Sequence, residues 1–401
     1  MAQLGFIDSP TYVKAKNEPL SVITQHNGVQ VAYIKESIRQ FLEELFGKHA
    51  LYTSGLTIQT TINQAMQHNA EQGFKQHITM LRKELGTLDG ALLTLEGSSG
   101  AIKVLVGGYD FKQSQFNRAL QAKRQMGSVF KPIVYAAAIA QGQSFNTIEL
   151  DEPAEFGSGA YAWRPQNNNR IFEGPMTLAR ALSYSNNIIA IKTLLRCGAD
   201  TVTTLARKMH ITGDISASPS LALGCVDVTV KEVAAAFNVF AHDGVYVEPY
   251  MITWIKDEWG STVYRHKNET ERVLESRVVG QVAKVLSIGI KRYLERLHIT
   301  DFTSQAICKT GTTNDSRTCW FAGATPQYTT VIYVGRDNNE SLGQGVAPVW
   351  AAFPIWLSLY RAMHHTETVF RYDPSLRELC INWVTGQPAT IADPESVSIY
   401  V

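Results

Sequence analysis

The chain has 401 residues and a mass of 44.5 kDa, more than one hydrophobic core usually organises, which predicts about two to three structural units. Hydrophobic residues make up 45% and charged residues 18%, a balance that excludes general disorder. Lys and Arg number 37 against 36 Asp and Glu, and a net charge of +1 excludes a long-range field that would draw the whole molecule onto nucleic acid or anionic lipid.

Residues 1–20 are polar and helix-like, and they begin without the basic and apolar regions of an export signal. The longest apolar run, 133–140, falls far short of the roughly 20 residues a membrane helix needs. Residues 21–55 read as a linker with some structure: apolar alternation at Val29, Val31 and Tyr33, then a helix over 36–46 ending at Gly47. Thr60, Thr61 and Asn63 can cap a long helix whose stripe of Met66, Ala70, Phe74, Ile78, Leu81 and Leu85 belongs in the core.

Runs 89–96 and 101–106, separated by Gly97-Ser98-Ser99-Gly100, predict an antiparallel pair of strands. Helical periodicity follows at 128–140, 177–182, 187–195, 201–209 and 230–242, interrupted by a long loop over 153–173. Strand-like runs return at 305–310, 319–324 and 329–335. Strands, then helices, then strands predict an α+β body: a five-stranded, mostly antiparallel sheet flanked by helices, with an all-helical subdomain inserted between its halves. The crevice between these units is the default place for a site.

Cys197, Cys225, Cys308, Cys319 and Cys380 are odd in number and form no C-x-x-C pair, which argues against a disulfide framework or a zinc ribbon. Cys308 and Cys319 can face each other across a hairpin, which leaves one bridge open in an oxidising compartment. There is no H-E-x-x-H and no phosphate-binding G-x-x-x-x-G-K-[ST], so neither a metal nor a nucleotide cofactor is expected.

Three short motifs carry chemistry. Ser128-Val129-Phe130-Lys131 is the only S-x-x-K in the chain, a pattern that composition alone produces about once at this length. Its context is more informative, because Gly127 precedes it and an apolar helix follows, placing Ser128 at a helix start where free N–H groups favour developing negative charge. Three residues make nearly one turn, so the Lys131 amine shares a face with the Ser128 hydroxyl and can take its proton if burial or a second cation depresses its pKa. Lys309-Thr310-Gly311-Thr312 supplies that cation, two hydroxyls for a substrate carboxylate, and a glycine that lets an extended peptide approach the strand. The alternative for this segment is a Lys-bearing turn at a sheet edge.

S-x-N occurs twice. Ser144 lies about 24 Å beyond Ser128 along a continued helix, at ~1.5 Å per residue, and is too distant to share its site. Ser185-Asn186-Asn187 falls between two helices of the insertion, where alternate side chains can point into the crevice; its plain structural alternative is a helix cap.

In this order the motifs resemble those of the serine penicillin-recognising enzymes. The segments 51–63 (LYTSGLTIQTTIN), 127–132 (GSVFKP), 162–167 (AWRPQN) and 309–315 (KTGTTND), with Trp320-Phe321, are similar to the transpeptidase domain of class A, bifunctional penicillin-binding proteins, over about residues 51–362. The resemblance implies a penicillin-binding-protein/serine β-lactamase-like fold. It divides the chain into a residual tail of a glycosyltransferase domain at 1–20, the linker 21–55, a transpeptidase domain at 56–365 and a C-terminal tail at 366–401. Nearly all of the glycosyltransferase domain is lacking, so either the chain is a fragment or a lineage has lost the upstream domain; the fragment is favoured.

The same resemblance implies a peptidoglycan D,D-transpeptidase that cross-links stem peptides through a serine acyl-enzyme and is acylated by β-lactams. Ser128 would be the nucleophile and Lys131 its base, with the N–H groups of Ser128 and Thr312 as oxyanion hole. Ser185 would relay a proton, Asn187 would hold the donor amide and orient Lys131, and Lys309, Thr310 and Thr312 would hold the terminal carboxylate, with Gly311 between them. Implied partners are donor and acceptor stem peptides, β-lactams and cell-wall synthesis proteins, with no nucleic acid. The implied location is the periplasmic face of the bacterial inner membrane, anchored only through a missing N-terminal region. Cys308, Thr318 and Cys319 depart from the family pattern beside the third motif. Other readings are a non-catalytic penicillin-recognising scaffold or sensor, a truncated relic, a D,D-carboxypeptidase and a β-lactamase. The last needs a water-activating Glu, and Glu232 reads instead as a first-turn helix charge.

Overall fold

Strand order in the main sheet follows from which runs are apolar on both faces. The computed structural model describes residues 1–18, 31–157, 159, 162–313, 316–363 and 368–401. Its main sheet contains β1 (Asp89–Glu96), β2 (Ile102–Val106), β3 (Ile307–Thr312), β4 (Thr318–Ala324) and β5 (Tyr328–Gly335), in the order β3-β4-β5-β1-β2 and antiparallel throughout. All of β4 and all of β1 except Glu96 are buried, and strands of that kind need cover on both faces.

The cover comes from helices. They are α1 (Gln64–Leu85), α2 (Lys131–Ala140), α3 (Leu178–Ser183), α4 (Asn187–Cys197), α5 (Val230–Ala241), α6 (Ser276–Arg296) and α7 (Phe353–Ala362). Asn63 caps α1 by accepting the Met66 N–H at 3.0 Å, and Phe74, Ile78 and Leu81 of its apolar stripe pack in one core with Phe321 and Ile332 of the sheet and Phe353 and Trp356 of α7. Helix α5 packs on β1, β4 and β5. Its buried Asn238 donates to Gly97 O at 2.9 Å and accepts from Thr329 Oγ1 at 2.8 Å, so its side-chain amide is paired at both ends. Thr229 and Glu232 close a capping box at the start of α5, and Glu232 also accepts from the N–H and hydroxyl of Thr212. This occupation agrees with Glu232 as a helix-start charge.

The halves of the sheet meet where β5 pairs with β1, and residues 107–306 lie between them in sequence. The fold is the expected α+β arrangement, but the inserted region is not all-helical: Ile148–Asp151 pairs with Gly174–Thr177, and Val245–Val247 pairs with Thr270–Arg272. The third strand of the main sheet is displaced from the expected 305–310 and runs to Thr312, which places Gly311 and Thr312 on the strand itself. Sequence periodicity assigned nothing between 243 and 304, yet α6 crosses this region; Gly280 and Gly289 interrupt its apolar stripe.

Residues 1–31 and 32–401 form two units. The first contains a short turn at Ala2–Leu4 and the helix Ser9–Asn17, capped by the Asp8 side chain, and buries none of their residues. The stretch read as a linker lies partly outside the described residues, and its later part forms the helix Ala32–Thr53, broken at Gly47. Leu42 of that helix packs on Ile252 and Ile255 of a small sheet formed by Thr57–Thr60, Ile252–Lys256 and Thr262–Arg265. Within 366–401, the strands Glu378–Asn382 and Ser396–Tyr400 pair as a hairpin whose Trp383 carbonyl accepts from Thr177 Oγ1 at 2.6 Å. The described helices include none long and apolar enough to cross a membrane.

The bridge left open by the sequence is not formed. Cys308 and Cys319 are buried free thiols, and the register pairs Cys308 with Gly323 and Cys319 with Thr312.

Candidate active site

The Ser128 turn is held from three sides. Gln125 pairs with Asp227, its carbonyl accepts from Trp320 Nε1 at 2.9 Å, and the Met126 N–H donates to Val226 O at 2.9 Å. The Gly127 N–H donates to Gly224 O at 3.1 Å, after which the chain tightens into the 3-10 turn Gly127–Phe130 and continues into α2. Gly224 has φ 74°, and a β-carbon there would lie 2.0 Å from Gly127 O, so the turn requires glycine at 224. Replacing Gly224 with Ala should displace the Ser128 turn and slow covalent reaction with a penicillin about tenfold, measured as the second-order rate of adduct formation. An unchanged rate in a folded variant would contradict this placement.

Strand β3 lies against the same turn. A β-carbon on Gly311 would sit 2.8 Å from Val129 Cγ2 and 3.0 Å from Met126 O, and one on Gly127 would sit 3.2 Å from Thr312 O. The close approach at Gly311 is therefore made by the chain's own Met126–Val129 turn.

The S-x-N segment forms by the joining of two helix ends. Helix α3 closes with the Asn186 N–H on Ala181 O at 2.8 Å and the Ser185 N–H on Leu182 O at 3.1 Å, leaving Ser185 left-handed at φ 61°. Asn186 then caps α4 by accepting the Ile189 N–H at 2.9 Å. The capping alternative thus applies to Asn186, while Ser185 and Asn187 on either side are left to face Lys131.

Lys131 is fully buried, and its Nζ donates to Ser185 O at 2.5 Å and to Asn187 Oδ1 at 2.7 Å, with Ser185 Oγ at 3.2 Å. Asn187 Nδ2 donates to Gln166 O at 2.8 Å, which orients its oxygen toward the amine. Burial pushes Lys131 well below its ordinary pKa, and the neighbouring Lys309 charge adds to this. A neutral amine has two hydrogens; Ser185 O and Asn187 Oδ1 can only accept and use both, which leaves its lone pair available as a base. Among the described residues the hydrogen bonds of Nζ go to Ser185 and Asn187, and none goes to Ser128.

Lys309 Nζ donates to Ser185 Oγ at 2.9 Å and to Thr310 O at 2.9 Å. The Ser185 hydroxyl thus stands between two lysine amines. Burial lowers Lys309 to about 7, and the Arg292 charge acts in the same direction. The adjacent Cys308 thiol, itself pushed up to about 12 by burial, acts in the opposite direction and offsets part of this lowering. Ser128, Lys131, Ser185, Asn187, Lys309 and the β3 residues Thr310, Gly311 and Thr312 therefore come together around one crevice, whereas Ser144 lies beyond the far end of α2.

Sequence reasoning missed several contributors. Tyr293 Oη is 2.9 Å from Thr310 Oγ1, and the Arg292 guanidinium lies 3.5 Å over the Tyr184 ring while donating to Ser183 O at 3.0 Å. These two neighbours at the end of α6 tie the third motif to the second, and no signal for them existed once α6 was unrecognised. Asn167 accepts the Asn187 N–H at 2.9 Å and donates to Asp151 Oδ1 at 2.9 Å, both residues being buried. Its signal was present in the AWRPQN segment.

A strand edge carrying lysine and hydroxyls, a serine at the start of a buried helix and a second serine between two amines define the serine acyltransferase class that includes penicillin-binding proteins. The chain belongs to that family: residues 90–349 match the penicillin binding protein transpeptidase domain. It is similar to penicillin-binding protein 1A of Neisseria gonorrhoeae, 34% identical over 287 residues that cover 68% of this chain and 36% of that protein. It is also similar to penicillin-binding protein 1A of Pseudomonas aeruginosa, 31% identical over 383 residues, covering 79% of this chain and 46% of that protein. The chain therefore spans between a third and a half of the length of these relatives. Among solved structures, penicillin-binding protein 1A from Haemophilus influenzae superposes with a TM-score of 0.84 at 22% identity, covering 99% of this chain and 80% of that one. PonA1 from Mycobacterium tuberculosis in complex with penicillin V does so with a TM-score of 0.75 at 20% identity, covering 92% and 100%.

Proposed function

We propose that the chain is a serine D-Ala-D-Ala transpeptidase. Ser128 attacks the penultimate D-Ala carbonyl of a donor stem while the lone pair of Lys131 takes its proton, and the N–H groups of Ser128 and Thr312 receive the oxyanion. The Ser185 hydroxyl passes a proton to the departing D-Ala amine. Lys309, Thr310 and Thr312 hold the terminal carboxylate, and Asn187 holds the donor amide and Lys131. The amine of an acceptor stem then attacks the ester, which frees Ser128 and forms the cross-link. A β-lactam takes the donor's place and stays attached. The periplasmic face of the inner membrane and an association with cell-wall synthesis proteins belong to the same reading.

The observation that carries it is the hydrogen-bonded series Lys131, Ser185, Lys309, with Lys131 buried, its pKa depressed, one turn after Ser128. The involvement of Glu232 in the capping box argues against its use as a water-activating base, which favours the transpeptidase over a β-lactamase. Intact mass spectrometry after incubation with a penicillin tests the proposal. The expected result is one adduct of full drug mass, mapped to Ser128 and persistent after free drug is removed. Clearance within minutes would favour a β-lactamase, and no adduct on a folded chain would leave a non-catalytic scaffold or relic.

A further inference from the structure

The C-terminal hairpin lies along one side of helix α3, the helix that leads into Tyr184 and Ser185. It touches residues 177, 180 and 184, whose spacing of three and four puts them on a single side of the helix. The Trp383 carbonyl accepts from the Thr177 N–H at 3.2 Å as well as from its hydroxyl. The Trp383 ring meets the Tyr184 ring at 5.3 Å between centroids, inclined by 61°, and the Arg180 guanidinium lies over the two rings at 5.7 and 5.4 Å. Glu395 fixes the indole in turn, accepting from Trp383 Nε1 at 2.5 Å. The same segment is fastened to α6. A β-carbon on Gly280 would sit 2.3 Å from Leu376 Cδ1, and Lys284, one turn on, donates to Glu378 Oε1 at 2.6 Å. Further along α6, Arg292 covers the face of Tyr184.

Tyr184 is 44% exposed, so its ring is held by these stacked neighbours rather than by the core. The next residue is Ser185, whose left-handed φ of 61° is one that a residue with a side chain keeps where its surroundings impose it. We propose that Trp383 is a positioning residue for acylation: through Tyr184 it holds Ser185 in this conformation, with the hydroxyl between Lys131 and Lys309. The inference rests on the proton relay assigned to Ser185 in the transpeptidase reading. Trp383 lies outside the residues 90–349 that match the family, so the site depends on a segment beyond the matched domain. The relay matters according to the leaving group. When Ser128 Oγ bonds to the carbonyl carbon of a penicillin, the C–N bond breaks, and the nitrogen takes the proton that Lys131 received from Ser128, passed on through the Ser185 hydroxyl. A thioester breaks at C–S instead, and its sulfur leaves as a thiolate with the electron pair and no proton.

The test compares acylation of the 401-residue chain by a penicillin and by a thioester donor. Trp383→Ala, which keeps the backbone bonds to Thr177, should slow the penicillin about tenfold and the thioester less than about twofold. Misfolding or a general loss of rate lowers both alike, so the ratio of the two rates reads the position of Ser185. Trp383→Phe should restore the ratio to within about threefold of the parent, and Trp383→Leu should not. Tyr184→Ala should match Trp383→Ala and carries the same test if the latter fails to fold. The double variant should lose no more than either single one, whereas independent effects would multiply to about 100-fold. An unchanged ratio, or losses that multiply, would overturn the proposal. Hydrogen exchange supplies an arm that needs no acylation. In Trp383→Ala the amides of Ser185 and Asn186, bonded to Leu182 O and Ala181 O, should exchange about tenfold faster while those of β4 keep the parent's rate. That result in a chain on which penicillin leaves no adduct supports the positioning and defeats the transpeptidase reading alone. Unchanged exchange at Ser185 and Asn186 overturns the proposal in either case.

Discussion

Lys131→Met should slow acylation by a penicillin about 10³-fold and at the same time stabilise the fold against heat at pH 6. The first effect follows from the loss of the base, since positioned proton acceptors contribute roughly 10²- to 10⁴-fold. The second follows from what burial does to the lysine. In the unfolded chain its pKa is the ordinary 10.5, and in the folded chain burial, with the Lys309 charge, holds it well below that. Below pH 10.5 the unfolded state therefore binds more protons, and the folded state is penalised increasingly as pH falls toward the depressed value. Methionine has no such titration, although it leaves Ser185 O and Asn187 Oδ1 without their donor, at a cost of about 1–3 kcal/mol each. The stability gap between variant and parent should therefore be widest at low pH and narrow toward pH 10. Stopped-flow acylation and thermal melts from pH 6 to 10 check both effects. Acylation within tenfold of the parent would refute the role of Lys131, and a gap widening with alkali would refute the electrostatic argument.

How much of this was legible in the sequence depends on whether the signal was local. The strand β1 was readable as an apolar run of strand length ending at a Gly-Ser turn, the stripe of α1 because its three-to-four-residue burial is written directly into the chain, and Asn63 announced where α1 begins. The motif residues were readable because Ser128 and Lys131 share one turn and Ser185 and Asn187 flank one cap. Their assembly was not. That Lys131 bonds Ser185 and Asn187, more than fifty residues away, depends on how α2 packs against α4, which no local pattern encodes. Gly311 shows the same limit: a glycine on a strand signals close approach, but the sequence does not say that the approaching chain is the Met126–Val129 turn. Arg292 and Tyr293 were invisible for a simpler reason, since glycines within α6 masked the helix that carries them. The C-terminal hairpin was similarly hidden, because its strands Glu378–Asn382 and Ser396–Tyr400 are short, partly exposed and separated by thirteen residues.

Above pH 7 the second-order rate of acylation by a β-lactam bearing a carboxylate should fall about tenfold per pH unit, to about 100-fold lower at pH 9. Lys309 is the cause. Burial brings it from 10.5 to about 7, so the free chain loses this cation near neutrality, and with it the partner of the substrate carboxylate. A bound carboxylate restores the charge, so at saturating drug the falling limb should move at least one unit toward alkali. Two controls separate this from other titrations. A β-lactam lacking the carboxylate should show no such limb, and Lys309→Arg, whose guanidinium stays charged, should lose the limb even though its different geometry lowers the absolute rate. The limb cannot be credited to Lys131, because loss of the Lys309 proton removes a repulsion and raises the Lys131 pKa only against the larger effect of burial, which persists. The base therefore remains neutral while the carboxylate site empties. A flat profile between pH 7 and 9, or an equal limb with the uncharged drug, would show that Lys309 does not receive the carboxylate in the free chain.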